Sequence, residues 1–247
     1  MSNNFIIIAH RGESHEAPEN TLAAINLAWE RNDDGVEIDI RLSKDDKIIV
    51  IHDRSTSRTG GKFYYVNKYN YSELKTLDVG SYKNIKFEGE HIPLLKTVIE
   101  GLPEKKYLFI EIKSNIETVN ILETFFNSNS VNPEFIKFIS FNKNLLKQLK
   151  EKLPSFEMFW IIDDKIPLFK KNFNEIIKQC IASGLNGLDL DEKMITSKNV
   201  IDKCHDANLK IYTWTVNDVK RAKELMNWGI DGITSDRASW LSEQIKS

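Results

Sequence analysis

Very little of this sequence is cysteine: Cys180 and Cys204 are the only two in 247 residues. Each falls inside a helical pattern, which disfavours a disulfide framework and a two-cysteine metal site. The pair reads as reduced thiols of a cytoplasmic protein. Charge of one sign is also lacking. The 34 Lys and Arg and 36 Asp and Glu leave a formal net charge of −2. There is thus no global basic field for a nucleic acid backbone, and any anion site must be local. Lysine runs such as "LFKKNF" (residues 168–173) read as solvated helix faces. Long hydrophobic runs are missing. No segment reaches the roughly 18–20 consecutive apolar residues of a membrane helix, so no stable membrane insertion is expected. The opening "MSNNFIIIAHRG" has no positive start and only a short apolar run, and reads as a strand instead of a secretion signal. Without internal repeats, low-complexity tracts or a Pro/Ser linker, residues 1–247 are expected to form one domain.

What is present is a series of strand-length apolar runs separated by helix-length segments. The strand candidates lie at residues 5–9 ("FIIIA"), 36–40, 47–52, 107–113, 136–140, 158–162, 187–190, 210–216 and 231–235. Amphipathic helices are expected over 21–31, 117–127, 143–152, 173–183, 197–207 and 218–228. Near-continuous apolar strands imply a sheet covered on both faces. Strand–helix alternation at this length leaves a closed parallel barrel or a doubly wound sheet. The segment after the first strand, "AHRGESHEAPEN", is not a Gly-rich dinucleotide loop, which favours an α/β (β/α)8 TIM barrel of about 250 residues. The step from Ile40 to Lys47 is too short for a helical crossover, so 47–52 is expected beside 36–40 as a hairpin or an extra strand. Residues 53–92 are weakly periodic and rich in Tyr, Asn, Ser and Gly. They read as a small insertion after the third strand segment, packed over one end of the barrel, its aromatic residues forming a core of their own.

Reactive groups of such barrels sit at the C-terminal ends of strands. The first strand here is followed by His10 and Arg11, the second carries Glu37 and Asp39, the third is followed by His52 and Asp53, and the fourth carries Glu111 and Lys113. Alternation puts each spaced pair on one strand face. Charges inside apolar strands are costly unless paired or metal-bound. Three converging carboxylates call for a hard divalent cation with oxygen ligands: Mg²⁺ or Ca²⁺, with Mn²⁺ as an alternative. A free imidazole titrates near pH 6.5, so of two histidines one can start neutral and the other protonated, as base and acid. Arg11 and Lys113 offer cationic donors to a phosphate. Together these point to cleavage of a phosphate ester. In "PENT", Asn20 or Thr21 can cap the helix that follows, Pro18 stiffens the loop, and Glu19 can orient Arg11 or join the metal shell.

At these residues the sequence resembles the glycerophosphodiester phosphodiesterase family. The matching stretches are "AHRG…PENT", "GVEIDIRLSKDDKIIVIHD", "GEHIPLLKTVIE", "FIEIK", "SFN", "YTWTVN" and "DGITSDRAS", in order over nearly the whole chain. The resemblance implies a (β/α)8 barrel that hydrolyses glycerophosphodiesters, such as glycerophosphocholine or glycerophosphoethanolamine, to sn-glycerol 3-phosphate and an alcohol with the help of a divalent metal. It implies His10 and His52 as the acid–base pair and Glu37, Asp39 and Glu111 as metal ligands. Arg11 and Lys113 are implied as phosphate contacts, and Trp214 as an aromatic wall for glycerol or the alcohol. Three stretches depart from the family pattern: "IPLL" lacks a Thr before its second Leu, "RSTSRTGGK" differs slightly in the insertion, and "GLDLD" (residues 187–191) stands where Asn-Pro is common, so that Asp189 and Asp191 are expected to alter the rim. His91 and His205 read as surface or packing residues; His15 matches no catalytic position of the family, with contact to substrate at the rim as its minor reading. Two other readings stand beside this one: a lysophospholipase D-like enzyme acting on a lipid, and a barrel that binds phosphorylated ligands without turnover. The chain is expected to be a monomer or homodimer.

Overall fold

The computed structural model describes residues 5–165 and 172–246. Most of the lysine-rich "LFKKNF" stretch lies outside the described residues. Nine strands occur among those described: β1 (Ile6–His10), β2 (Gly35–Leu42), β3 (Ile48–Val50), β4 (Tyr107–Ile112), β5 (Ile136–Ser140), β6 (Glu157–Ile162), β7 (Gly187–Asp191), β8 (Lys210–Trp214) and β9 (Gly232–Ser235). All but β3 pair in parallel, and the ring closes through β1, which pairs with both β2 and β9. Helices pack outside the strands, giving a closed (β/α)8 barrel.

The extra strand explains an otherwise odd count. One edge of β2 pairs with β4 from Gly35 to Ile40. On the other edge β1 stops at His10 opposite Glu37. Beyond that point β3 takes over antiparallel, with Ile40 opposite Val50. The Ile51 N–H then donates to the Asp39 carbonyl at 2.9 Å. The 40–50 hairpin therefore extends β2 past the rim and brings the chain back to the mouth at His52. The hairpin expectation holds, and its consequence is that His10 and His52 reach the mouth from the same edge of β2.

The core has two layers. Between sheet and helices lies a large apolar cluster that includes Ile38, Ile110, Phe138, Leu188 and Ile211. Inside the barrel, Ile8, Phe109, Ile139, Phe159, Ile161 and Tyr212 form a plug. The Tyr212 ring lies edge-on to Phe109 and Phe159, at 5.1 and 4.9 Å. Side chains two residues apart share a strand face. His10 therefore stands one layer above Ile8, Glu111 above Phe109 and Trp214 above Tyr212, all on the C-terminal side of the plug.

The turn after β1 is specified by its residues. Arg11 and Gly12 both have positive φ, 57° and 80°. A Cβ on Gly12 would lie 2.5 Å from the Ala24 carbonyl carbon, so only glycine fits against the next helix, Leu22–Glu30. Thr21 caps that helix by accepting from Ala24 N at 3.3 Å.

The 53–92 insertion packs Val66, Leu74, Leu77, Val79 and Ile92 onto Ile49 and Ile51 of the hairpin, in a cluster separate from the barrel core. Its aromatic residues divide. Tyr64 and Tyr69 stack at 4.1 Å against this cluster, whereas Phe63 and Tyr65 are 60% and 52% exposed. Cys180 and Cys204 are both free and buried. Among the described residues no helix is long and apolar enough to cross a membrane.

Candidate active site

Glu37 and Asp39 point inward from β2, and Asp39 sits in register with Glu111 on β4. All three are buried, at 3%, 0% and 8% exposure. One carboxylate oxygen from each lies within 4.8 Å of the others. Glu37 Oε1, Asp39 Oδ1 and Glu111 Oε1 are buried with no hydrogen bond of acceptable geometry. Lys113 Nζ gives only ionic contact to the last two, at 3.3 and 2.7 Å. One lysine against three buried carboxylates leaves negative charge under-compensated, at a cost on the order of several kcal/mol per desolvated ion. Three convergent hard oxygen donors with unused lone pairs fit a divalent cation of the Mg²⁺ or Ca²⁺ type.

The charges are unevenly divided. Burial pushes Asp39 up, but Arg11, Lys113, His52 and the Asn20 amide outweigh it and hold the carboxyl below the usual range. Burial together with Asp39 and Glu111 pushes Glu37 well up. Burial and Asp39 push Glu111 up to about 7. Asn20 grips Asp39 twice: its Nδ2 donates to Oδ2 at 2.8 Å, and its Oδ1 accepts from Asp39 N at 3.0 Å. Of the two cap candidates, Asn20 and Thr21, the cap is Thr21, and Asn20 braces the carboxylate.

His10 and His52 flank this cluster. His10 Nδ1 lies 2.7 Å from Asp236 Oδ1, and its Nε2 faces Glu37 at 4.0 Å. Burial raises Asp236, yet the bond to His10 and the Asn217 amide outweigh it and hold it down at about 2. Asn217 Nδ2 donates to the other Asp236 oxygen at 2.7 Å. His52 Nδ1 lies 2.7 Å from Asp53 Oδ1, and Asp53 in turn accepts from Arg58 Nε at 2.7 Å. Burial lowers the His52 pKa; Asp39 raises it less, and Arg11 and Lys113 lower it further.

Arg11 donates through Nη1 to Glu19 at 2.8 Å, and its Nε lies 3.1 Å from Asp39 Oδ2. Its backbone N–H donates to Glu37 Oε2 at 3.0 Å. Glu19 therefore orients Arg11; it is not among the clustered acids. Arg41 does not pair with Glu37 or Asp39. It donates to the His52 and Lys113 carbonyls at 2.7 and 3.1 Å and so ties the ends of β3 and β4 together.

His10, Arg11, Glu37, His52, Glu111 and Lys113 line a cavity of about 210 Å³ that also takes in Phe141, Ile161, Asp189, Trp214 and Thr234. Trp214 meets Phe141 edge-on at 5.9 Å, and Lys113 Nζ lies over the Phe141 ring at 5.7 Å. Sequence reasoning put Asp189 and Asp191 at the rim. Asp191 does cap the turn that follows β7, accepting from Lys193 N at 3.0 Å. Asp189 instead faces the cavity, 3% exposed with Oδ1 unpartnered. Burial and Glu111 push its carboxyl well above the usual range. The clue was an acid at an inward position of an otherwise apolar strand, the same signal that marked Glu37. Asp236, Asn217 and Phe141 had no such signal. The remaining histidines are peripheral: His15 contacts Arg237 at 3.3 Å, His91 meets the Leu77 carbonyl at 3.0 Å, and His205 meets Asp231 at 3.0 Å.

A closed β/α barrel with clustered acids, two oriented imidazoles and two cations at its C-terminal mouth defines an enzyme that handles an anionic substrate. Residues 10–239 match the model of the glycerophosphoryl diester phosphodiesterase family, and the chain belongs to that family. YhdW of Bacillus subtilis (strain 168) is 33% identical, over 95% of this chain and 96% of that one. The glycerophosphodiester phosphodiesterase of Caldanaerobacter subterraneus subsp. tengcongensis is 30% identical over 98% of each chain. A solved phosphodiesterase of Oleispira antarctica, OLEI02445, in complex with the product sn-glycerol-3-phosphate, superposes with a TM-score of 0.88 at 28% identity, covering 98% of this chain and 97% of that one. This chain is accordingly an enzyme, a phosphoric diester hydrolase of the glycerophosphodiester type.

Proposed function

We propose that the enzyme hydrolyses glycerophosphodiesters, glycerophosphocholine and glycerophosphoethanolamine among them, to sn-glycerol 3-phosphate and the free alcohol in a divalent-metal-dependent reaction. The observation that carries this reading is the convergence of three buried carboxylate oxygens, with Lys113 as the cation in contact with two of them, between two histidines at one barrel mouth. Glu37, Asp39 and Glu111 would hold Mg²⁺ or Ca²⁺, with Mn²⁺ as an alternative. The ion supplies positive charge against that developing on the phosphate oxygens.

The chain's own residues divide the other tasks. His52, its pKa lowered by burial, is neutral at neutral pH and takes a proton from the water that attacks phosphorus. His10 presents Nε2 to the cluster because Asp236 fixes Nδ1, and it gives a proton to the leaving oxygen. Lys113 and Arg11 both remain cationic. Burial works against each charge, but the surrounding carboxylates outweigh it, Asp39 most of all. They bind the phosphate oxygens that carry charge in the transition state. Trp214 and Phe141 form an apolar wall for the carbon skeleton. The buried free thiols accord with a reducing compartment, the cytoplasm.

Glycerol 3-phosphate release from glycerophosphocholine tests the reading. Turnover is expected with Mg²⁺ or Ca²⁺ and is expected to stop with excess chelator. Unchanged turnover in chelator contradicts the role of the metal. A lysophospholipid at matched concentration, cleaved faster than the diester, would move the assignment to a lipid substrate.

A further inference from the structure

A second and larger recess, of about 650 Å³, adjoins the catalytic cavity, and Lys113 lines both. The strands that build the site run directly into it. On β2 the inward face carries Glu37, Asp39 and then Arg41. On β4 and its extension the order is Glu111, Lys113 and then Asn115. Each series passes from acid to cation as it leaves the barrel, and Arg41, Lys113 and Asn115 line the groove. The groove continues between the 40–50 hairpin, the start of the insertion and the segment after β4.

Its lining is basic. Lys44, Arg54 and Lys68 are exposed there, and none is ion-paired among the described residues. Arg41 and Lys113 add two further positive groups, against the carboxylates of Asp46 and Glu117. Thr118, 1% exposed, lines the same groove, and its Oγ1 is buried without a hydrogen-bond partner. Unpaired cations concentrated in a recess, with an unused hydroxyl beside them, are arranged to receive an anion with several acceptor oxygens. A quaternary ammonium head group finds the opposite environment, with one aromatic ring, Tyr65, and an excess of like charge.

We propose that this groove receives the leaving alcohol of the diester and selects alcohols that carry a phosphate of their own. The inference rests on the hydrolase reading above and adds to it the class of head group. Glycerol phosphate occupies the small cavity between the histidines. The alcohol leaves across Lys113, and its phosphate is met by Lys44, Arg54 and Lys68.

The test compares glycerophosphoinositol with glycerophosphoinositol 4-phosphate at low ionic strength and saturating Mg²⁺. The 4-phosphate is expected to raise kcat/KM by about tenfold or more, chiefly through KM, as new charge-assisted hydrogen bonds would. Added salt should shrink that advantage. The combined variant Lys44→Gln, Arg54→Gln, Lys68→Gln, all at exposed positions, should lose it while cleaving glycerophosphoinositol at the wild-type rate. Equal kcat/KM for the two substrates in the wild type, or an advantage that survives in the variant, overturns the proposal. If neither diester is cleaved, the hydrolase reading fails, and calorimetry with inositol 4-phosphate still decides the groove. Binding weakened about tenfold in the variant supports it; absent or unchanged binding overturns it.

Discussion

His10 and His52 differ in their partners more than in their positions. His10 is pinned at Nδ1 by Asp236, which Asn217 fixes in turn. His52 is pinned at Nδ1 by Asp53, which Arg58 holds while also gripping Glu19 with two hydrogen bonds of 2.6 and 2.8 Å. Each imidazole thus exposes the nitrogen opposite its anchor, as proton transfer requires. The sign of the pH dependence follows from burial. A histidine whose pKa is lowered stays neutral on the acid side of its ordinary value near 6.5, and a bound cation nearby shifts it the same way. Activity is therefore expected to hold through neutral pH and to fall only below about 6.5 as His52 gains its proton. His52→Ala should lower kcat by ~10²–10⁴-fold and flatten that acid limb. His10→Ala should show a comparable loss. A pH–rate profile of His52→Ala that keeps the wild-type acid limb contradicts the assignment of the base.

Between residue and barrel stand the strands, and these were the most legible elements. The run at 136–140 coincides with β5, and the other eight differ from the observed strands by a few residues at either end. Buried parallel strands read as continuous apolar runs, so both faces contribute to the signal. Short helices escaped. Leu95–Glu100 spans six residues, too few for a 3.6-residue period to register. The insertion's helices, such as Tyr71–Leu74, are shorter still. Close strand contact leaves a different mark. A Cβ on Gly187, at the start of β7, would lie 2.0 Å from the Lys210 carbonyl oxygen on β8, and backbone cannot swing aside. Gly187→Ala is expected to cost about 1–3 kcal/mol. Thermal unfolding should show Tm falling by about 2–4 °C per kcal/mol. Gly187 lies at the barrel end remote from the mouth, so kcat of the folded enzyme should be unchanged. An unaltered Tm contradicts the close approach of β7 and β8.

At the scale of the whole molecule, barrel closure is what creates the site. His10, Glu37, Asp39, His52, Glu111 and Lys113 were legible because strand ends must converge at one mouth and each carried a charge that packing does not explain. The links between distant segments were not. Asp236 meets His10 across 226 positions, through the β1–β9 pairing that closes the ring, and no local pattern announces such a contact. Asp189 had the right local signal, but its departure from the family pattern drew it toward the rim; the inward face of β7 placed it in the cavity. The β2–β3 hairpin had the opposite fate: a short connection forced it, and it proved to be the device that delivers His52 beside Asp39.

The central claim is that one divalent ion sits among these acids. Anomalous diffraction from crystals grown with Mn²⁺, at a concentration that supports turnover, tests it most directly. A single strong peak bounded by carboxylate oxygens of Glu37, Asp39 and Glu111 is expected, lost in a Glu37→Gln, Asp39→Asn variant. A peak elsewhere in the molecule, or none at that cluster, contradicts it.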